Sequence, residues 1–114
     1  MATVVNSLLL QFVIFTLVCS TLITLSLGLM QPDGPYCHTC EVMINDIKWK
    51  YHNNFTDVTP EQLKYSLYEE CDQYFAGHTD QECHQEADEK CYSILKSLKE
   101  GQNARQICVE NDFC

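Results

Sequence analysis

Residues 36–51 read Tyr36-Cys37-His38-Thr39-Cys40-Glu41-Val42-Met43-Ile44-Asn45-Asp46-Ile47-Lys48-Trp49-Lys50-Tyr51. Cys37, Cys40, Ile44, Ile47 and Tyr51 recur at spacings of 3, 4, 3 and 4, which lays them along one stripe of an α-helix. Two of the five are cysteines, so the stripe is a packing face and also a set of attachment points. Val42 and Trp49 lie seven apart on a different face, so this helix is apolar on more than one side.

Working outward, the first helix is expected over roughly 36–52, closed by Asn53-Asn54. Thr59-Pro60-Glu61-Gln62 opens the second, with Thr at the N-cap, Pro at the first helical position and Gln at the third, a capping-box pattern. Its stripe is Leu63, Leu67, Cys71 and Tyr74 or Phe75. Ala76-Gly77-His78-Thr79-Asp80 is expected to break it. A third helix is expected from about 81 to 100, with Cys83, Ala87, Cys91, Ile94 and Leu98 on one face and Glu82, Glu86, Asp88, Glu89 and Lys90 on the other. Lys96 and Lys99 suit the negative end of its dipole, and Gly101 stops it. A short fourth helix near 103–110 carries Ile107 and Cys108. No segment sustains strand alternation, so the expected fold class is all-α.

The remainder of the chain is of another kind. The protein has 114 residues, 7 basic and 16 acidic side chains, a formal charge of −9 and eight cysteines. Residues 1–30 hold no Asp, Glu, Lys or Arg, and 8–30 are almost continuously apolar. This stretch reads as a secretory signal peptide over 1–28, with Ser26 and Gly28 placed for cleavage before Leu29 and Val18 and Ser20 for cleavage before Thr21. An uncleaved membrane anchor is the alternative, because the stretch is long enough to span a bilayer. Residues 29–35 read as a short exposed linker, and 36–114 as one small domain. On either reading the domain enters an oxidising lumen, where disulfides persist: secreted, lysosomal or phagosomal. Asn54-Phe55-Thr56 is an N-glycosylation acceptor and implies an exposed turn at Asn54.

A domain this short buries little apolar surface, and cross-links commonly make up the difference. Cys19 is expected to leave with the signal peptide, which leaves seven cysteines. Cys71 ends one helix and Cys83 begins the next, so a bridge there would staple a helical hairpin. Cys37 and Cys40 sit at one end of the domain and Cys108 and Cys114 at the other. Two bridges between those pairs, in either pairing, would tie the ends together and contribute roughly 4–5 kcal/mol by chain entropy.

The spacing C-x2-C, 30 residues, C, 11 residues, C, 24 residues, C-x5-C resembles the saposin-like (saposin B-type) family, with Cys37, Cys40, Cys71, Cys83, Cys108 and Cys114 in its six positions. Asn54 lies where saposins often carry glycan, and Ile107-Cys108-Val109 with Phe113-Cys114 resembles the family's closing segment. The resemblance covers nearly all of 36–114. It implies a disulfide-stapled bundle of four to five amphipathic helices in two leaves, with the bridges Cys37–Cys114, Cys40–Cys108 and Cys71–Cys83. The chain departs from the pattern in the seventh cysteine, Cys91, and in the polar run from His84 to Lys90. Cys91 lies on its helix's apolar stripe and reads as a buried, unpaired thiol. The alternatives are an intermolecular bridge making a homodimer and a different internal pairing.

Enzyme chemistry finds little footing. Cys37-His38-Thr39-Cys40 resembles a redox dithiol, but no βαβ pattern surrounds it and partner cysteines abound. A zinc site using His38, His78 or His84 with cysteines requires thiolates, and these thiols are expected to be oxidised. Glu69-Glu70 and Asp88-Glu89 are adjacent pairs whose members point in different directions, as solvated faces do. No phosphate loop, nucleophile elbow or HExxH pair occurs. A charge of −9 excludes ordinary nucleic-acid binding, and no cofactor is expected.

The resemblance implies lipid partners: family members present sphingolipids to a hydrolase or permeabilise membranes as antimicrobial effectors. The apolar stripes supply candidate lipid contacts at Ile44, Ile47 and Tyr51 on the first helix, Leu63 and Leu67 on the second, and Ile94, Leu95 and Leu98 on the third. Trp49, in Lys48-Trp49-Lys50-Tyr51, suits a lipid–water boundary. The sequence pI is about 4.6. Near pH 4.3 about half of the 16 carboxylates are protonated and the four histidines charged, a net charge of about +3. Binding to anionic membranes is therefore expected to be favoured by acid. The other function class is a stapled protein-binding module without lipid activity.

Overall fold

A computed structural model describes residues 2–29 and 33–114, with side-chain surroundings for 6–20 and 33–114. It divides into two units, Met1–Pro32 and Asp33–Cys114. The first holds one helix, α1 (Ala2–Leu29). Thr16 and Ser20 donate to carbonyls one turn back, Phe12 and Val13 for Thr16 and Leu17 for Ser20, so these hydroxyls are satisfied within the helix itself. Among the described residues no helix is long and apolar enough to cross a membrane. The expected cleavage positions at Ser26 and Gly28, and Gln31-Pro32 of the linker, lie outside the residues whose side chains are described.

The second unit is a small, disulfide-stapled, all-helical bundle: α2 (Cys37–Lys50), α3 (Pro60–Tyr74), α4 (Gly77–Lys99) and α5 (Ala104–Glu110). No strand occurs among the described residues. It begins earlier than Tyr36, because Asp33 pairs with Arg105 at 2.6 Å and the Gly34 carbonyl accepts from the Cys37 N–H at 3.1 Å.

Local chemistry sets each boundary. His52 and Asn53 take left-handed φ values of 52° and 55° and end α2, a conformation Asn tolerates better than most residues. Phe55 and Val58 then turn inward and fix the connecting loop to the core. Thr59 caps α3 with a complete capping box: its hydroxyl accepts from the Gln62 N–H, and the Gln62 side chain accepts from the Thr59 N–H at 3.0 Å. Asn103 caps α5 by accepting from the Gln106 N–H at 2.8 Å.

The break between α3 and α4 is shorter than the sequence suggests. Only Phe75 and Ala76 are extended, and Gly77 at φ 61° turns the chain directly into α4, so His78, Thr79 and Asp80 are helical. Glycine accepts that φ without the steric cost other residues bear.

The helices pack as two pairs, α3 on α4 and α2 on α5, and the pairs meet more lightly through α2 against α3 and α4 against α5. Ile44, Ile47, Leu63 and Ile107 are almost fully enclosed at the centre. Cys37 is bonded to Cys114, Cys40 to Cys108 and Cys71 to Cys83. Each bridge lies within one pair, and no bridge joins the two pairs.

Candidate functional site

The seam between the pairs opens into a cleft of about 560 Å3. Met43 and Ile44 of α2 and Phe113 after α5 form one wall. Leu67 of α3, Phe75, and Ala87 and Ile94 of α4 form the other. Tyr36 and Phe75 meet edge to face at 5.7 Å and close one end. The volume falls in the range of small-molecule pockets.

The rim is acidic. Glu82, Glu86, Glu89 and Asp112 surround it with Thr79 and Gln85, and Lys90 is its one cation among the lining residues. Lys90 is already engaged. It donates to the Asn111 carbonyl at 2.7 Å, pairs with Glu86 at 2.7 Å and lies 4.5 Å from the centre of the Phe113 ring. An anionic headgroup would therefore meet mostly like charge at this mouth.

Polar ties close the seam elsewhere. Tyr74 donates to Asp46 at 2.5 Å, the Tyr51 hydroxyl meets that of Ser66 at 2.7 Å, and Ser97 donates to Glu110 at 3.1 Å. Lys50 pairs with Glu69, and Lys48 donates to the Gln102 carbonyl. The most consequential tie is between carboxyl groups. Glu70 of α3 is 8% exposed and faces Asp46 of α2. Burial, the Asp46 charge and a hydrogen bond to Asp46 push its pKa up to about 7. Glu70 was expected on a solvated face and is instead buried, because the α3 stripe is wider than its apolar residues and includes Ser66 and Glu70. Glu69, Asp88 and Glu89 are exposed.

The expected lipid contacts fall into three groups. Ile44, Leu67 and Ile94 line the cleft. Ile47, Leu63, Leu95 and Leu98 are buried in the core behind it. Tyr51 is half-buried against Phe55, with ring centres 5.4 Å apart, and Trp49 stands out into solvent at 82% exposed. The two lysines beside Trp49 are drawn into the seam ties, so the indole projects alone. Met43, Phe75 and Phe113 were missed as cleft residues. Phe113 lies outside the helices, where periodicity gives no signal, and Phe75, at helical spacing from Leu67 and Cys71, is the C-cap of α3.

Cys91 is a free thiol, 3% exposed and packed in the core, so another chain does not reach its sulfur in this conformation. Asn54 is exposed on the turn before α3 and accepts from the Thr56 N–H at 3.2 Å. Cys37 and Cys40 are bonded to different partners, so they form no dithiol. His84 faces two aspartates instead of thiolates. No protein-family model matches the chain, and neither does any curated protein or solved structure it was compared with.

Proposed function

We propose that the chain is a saposin-like, lipid-binding protein of an oxidising lumen, secreted or lysosomal, that adsorbs to membranes in acid. One observation carries the reading: the apolar cleft lies on the seam between the two helix pairs, which no disulfide crosses. Each helix pair is stapled in itself, and the pairs can separate without breaking a covalent cross-link, by giving up hydrogen bonds, ion pairs and the apolar contacts between them. Separation would expose Ile47, Leu63, Leu95 and Leu98 beside the cleft residues, a continuous surface for acyl chains. Trp49 supplies a first contact with the interface before any opening. Asn54 is placed to carry glycan, and the apolar residues 8–30 to direct secretion.

The protein acts on lipid as a carrier, as a presenter to a lipid hydrolase or as a membrane-perturbing antimicrobial effector, and not as an enzyme. The acidic rim favours neutral or zwitterionic lipid inside the cleft, and net charge governs adsorption. Co-flotation with anionic liposomes at pH 4.5 and 7.4, run beside lipid extraction and dye leakage, tests this. Flotation at pH 4.5 exceeding that at pH 7.4 is expected. Equal or stronger flotation at pH 7.4 would refute the charge dependence. Neither flotation nor extraction at any pH would favour the protein-binding module.

A further inference from the structure

We propose that Asp72, Asp80 and His84 form a site for one divalent cation of the zinc class, set where the α3–α4 hairpin turns. The three side chains bring one ligand atom each to within 4.8 Å of one another. His84 Nε2 lies 2.7 Å from Asp72 Oδ1 and 3.6 Å from Asp80 Oδ1. Both carboxylates thus address the same ring nitrogen, which can carry only one proton. Asp72 takes that hydrogen bond. Asp80 Oδ1 is enclosed and has no hydrogen-bond partner. A cation in place of the proton would serve all three atoms at once.

The distances suit this. Ligand atoms on tetrahedral zinc are about 3.3 Å apart, given bonds of about 2.0–2.1 Å. The two separations from His84 Nε2, 2.7 and 3.6 Å, bracket that value, and the two carboxylate oxygens lie within 4.8 Å of each other.

The field also calls for a cation. Asp72 sits in the last turn of α3, which has no basic residue. A carboxylate at the negative end of a helix is unfavourable unless something positive offsets it. The cross-link next door holds the ligands in place: Asp72 follows Cys71 and His84 follows Cys83, the two halves of one disulfide. The His84 ring is stacked on Tyr68 with centres 4.2 Å apart, which fixes its plane.

One imidazole with two carboxylates selects zinc over calcium and magnesium, which favour all-oxygen sets of higher coordination number. Three protein ligands leave the fourth position to water. The bound ion would pin the hairpin at the turn, as a second staple beside the disulfide.

The test is zinc titration of the oxidised, tag-free protein by calorimetry, with the His84 ring followed by NMR. One site per chain is expected, with a shift at His84, a raised unfolding temperature on saturation and no response to magnesium. Asp80→Asn and His84→Gln should each weaken binding at least about tenfold, while keeping the zinc-free unfolding temperature within a few degrees. His78→Gln, at an exposed histidine in the same helix, should leave it unchanged. No binding, or binding that survives both Asp80→Asn and His84→Gln, would overturn the site. So would a loss of zinc binding in His78→Gln.

Discussion

The two helix pairs are held together by different means. α3 and α4 are consecutive, of 15 and 23 residues, joined through two extended residues and a glycine. α2 and α5 are separated by the whole hairpin, and α5 has only 7 residues. A helix that short is not stable alone in water. The hairpin carries one bridge with a sequence separation of 12, whereas α2 and α5 carry two, with separations of 77 and 68. Covalent ties are concentrated where chain proximity and helix length contribute least. The seam between the pairs has none, and that is where the cleft lies.

Removing bridges should separate the pairs most clearly. Replacing Cys37, Cys40, Cys108 and Cys114 together by alanine releases a long loop worth roughly 4–5 kcal/mol by chain entropy, and replacing Cys71 and Cys83 one worth about 3 kcal/mol. The first is a large part of a small domain's stability and should leave α5 frayed. Urea unfolding of the two variants, with the remaining bridges oxidised and hydrogen exchange followed on α5, measures both. A larger loss on opening the hairpin bridge would reverse the ranking, and an α5 that stays protected without its two bridges would show that packing suffices there.

The pairs were unequally legible in the sequence. Helical spacing and the Thr59 cap are local signals, so the helices could be read directly, and the six cysteine intervals pointed to a stapled bundle. What stayed hidden depends on contacts between distant residues. Glu70 has an acidic neighbour and reads as surface, and only packing against Asp46 of α2 reveals it as buried. Phe113 lines the cleft from the segment after α5, which has no helical period. The candidate lipid residues were recognisable as apolar, but periodicity cannot divide those lining a cleft from those filling the core behind it. The short turn at Gly77 was missed because His78-Thr79-Asp80 is polar. Asp80 is also an acidic residue in a first helical turn, a signal for a helix start.

The seam itself is the next comparison to sharpen, through Glu70. Its folded pKa of about 7 lies above its ordinary value of 4.5, so the folded state holds the proton more tightly. Stability from this group is fully present below about pH 4.5 and is lost as pH rises through about 7, a swing on the order of 3 kcal/mol. Asp46, Glu69 and Tyr74 face the same carboxyl, and Lys50 opposes its shift. Glu70→Gln should therefore be about 2 kcal/mol more stable than wild type at pH 8 and nearly equal to it at pH 4.5. Parallel pH profiles for the two proteins would show that Glu70 is not the titrating tie. On the proposed function, adsorption and opening then have opposite pH dependences. Acid removes the repulsion from anionic lipid while the shared proton holds the seam shut.

The smallest effect on stability should accompany a large one on membranes. Trp49 on α2 is 82% exposed, and Tyr65 and Tyr92 on the hairpin are 64% and 67% exposed. Replacing any of them by serine should change unfolding free energy by no more than about 0.5 kcal/mol, since none fills the core. Their surroundings differ. Trp49 lies between Lys48 and Lys50, whereas Tyr92 lines a small hollow with Glu61, Lys64 and Asp88. If the α2 side meets the membrane first, Trp49→Ser should weaken flotation on anionic liposomes at pH 4.5 by roughly tenfold, because burying a side chain of that size is worth about 1.5–3 kcal/mol. Tyr92→Ser should change it little. The reverse ranking would move the contact face to the hairpin and leave Trp49 to another kind of partner.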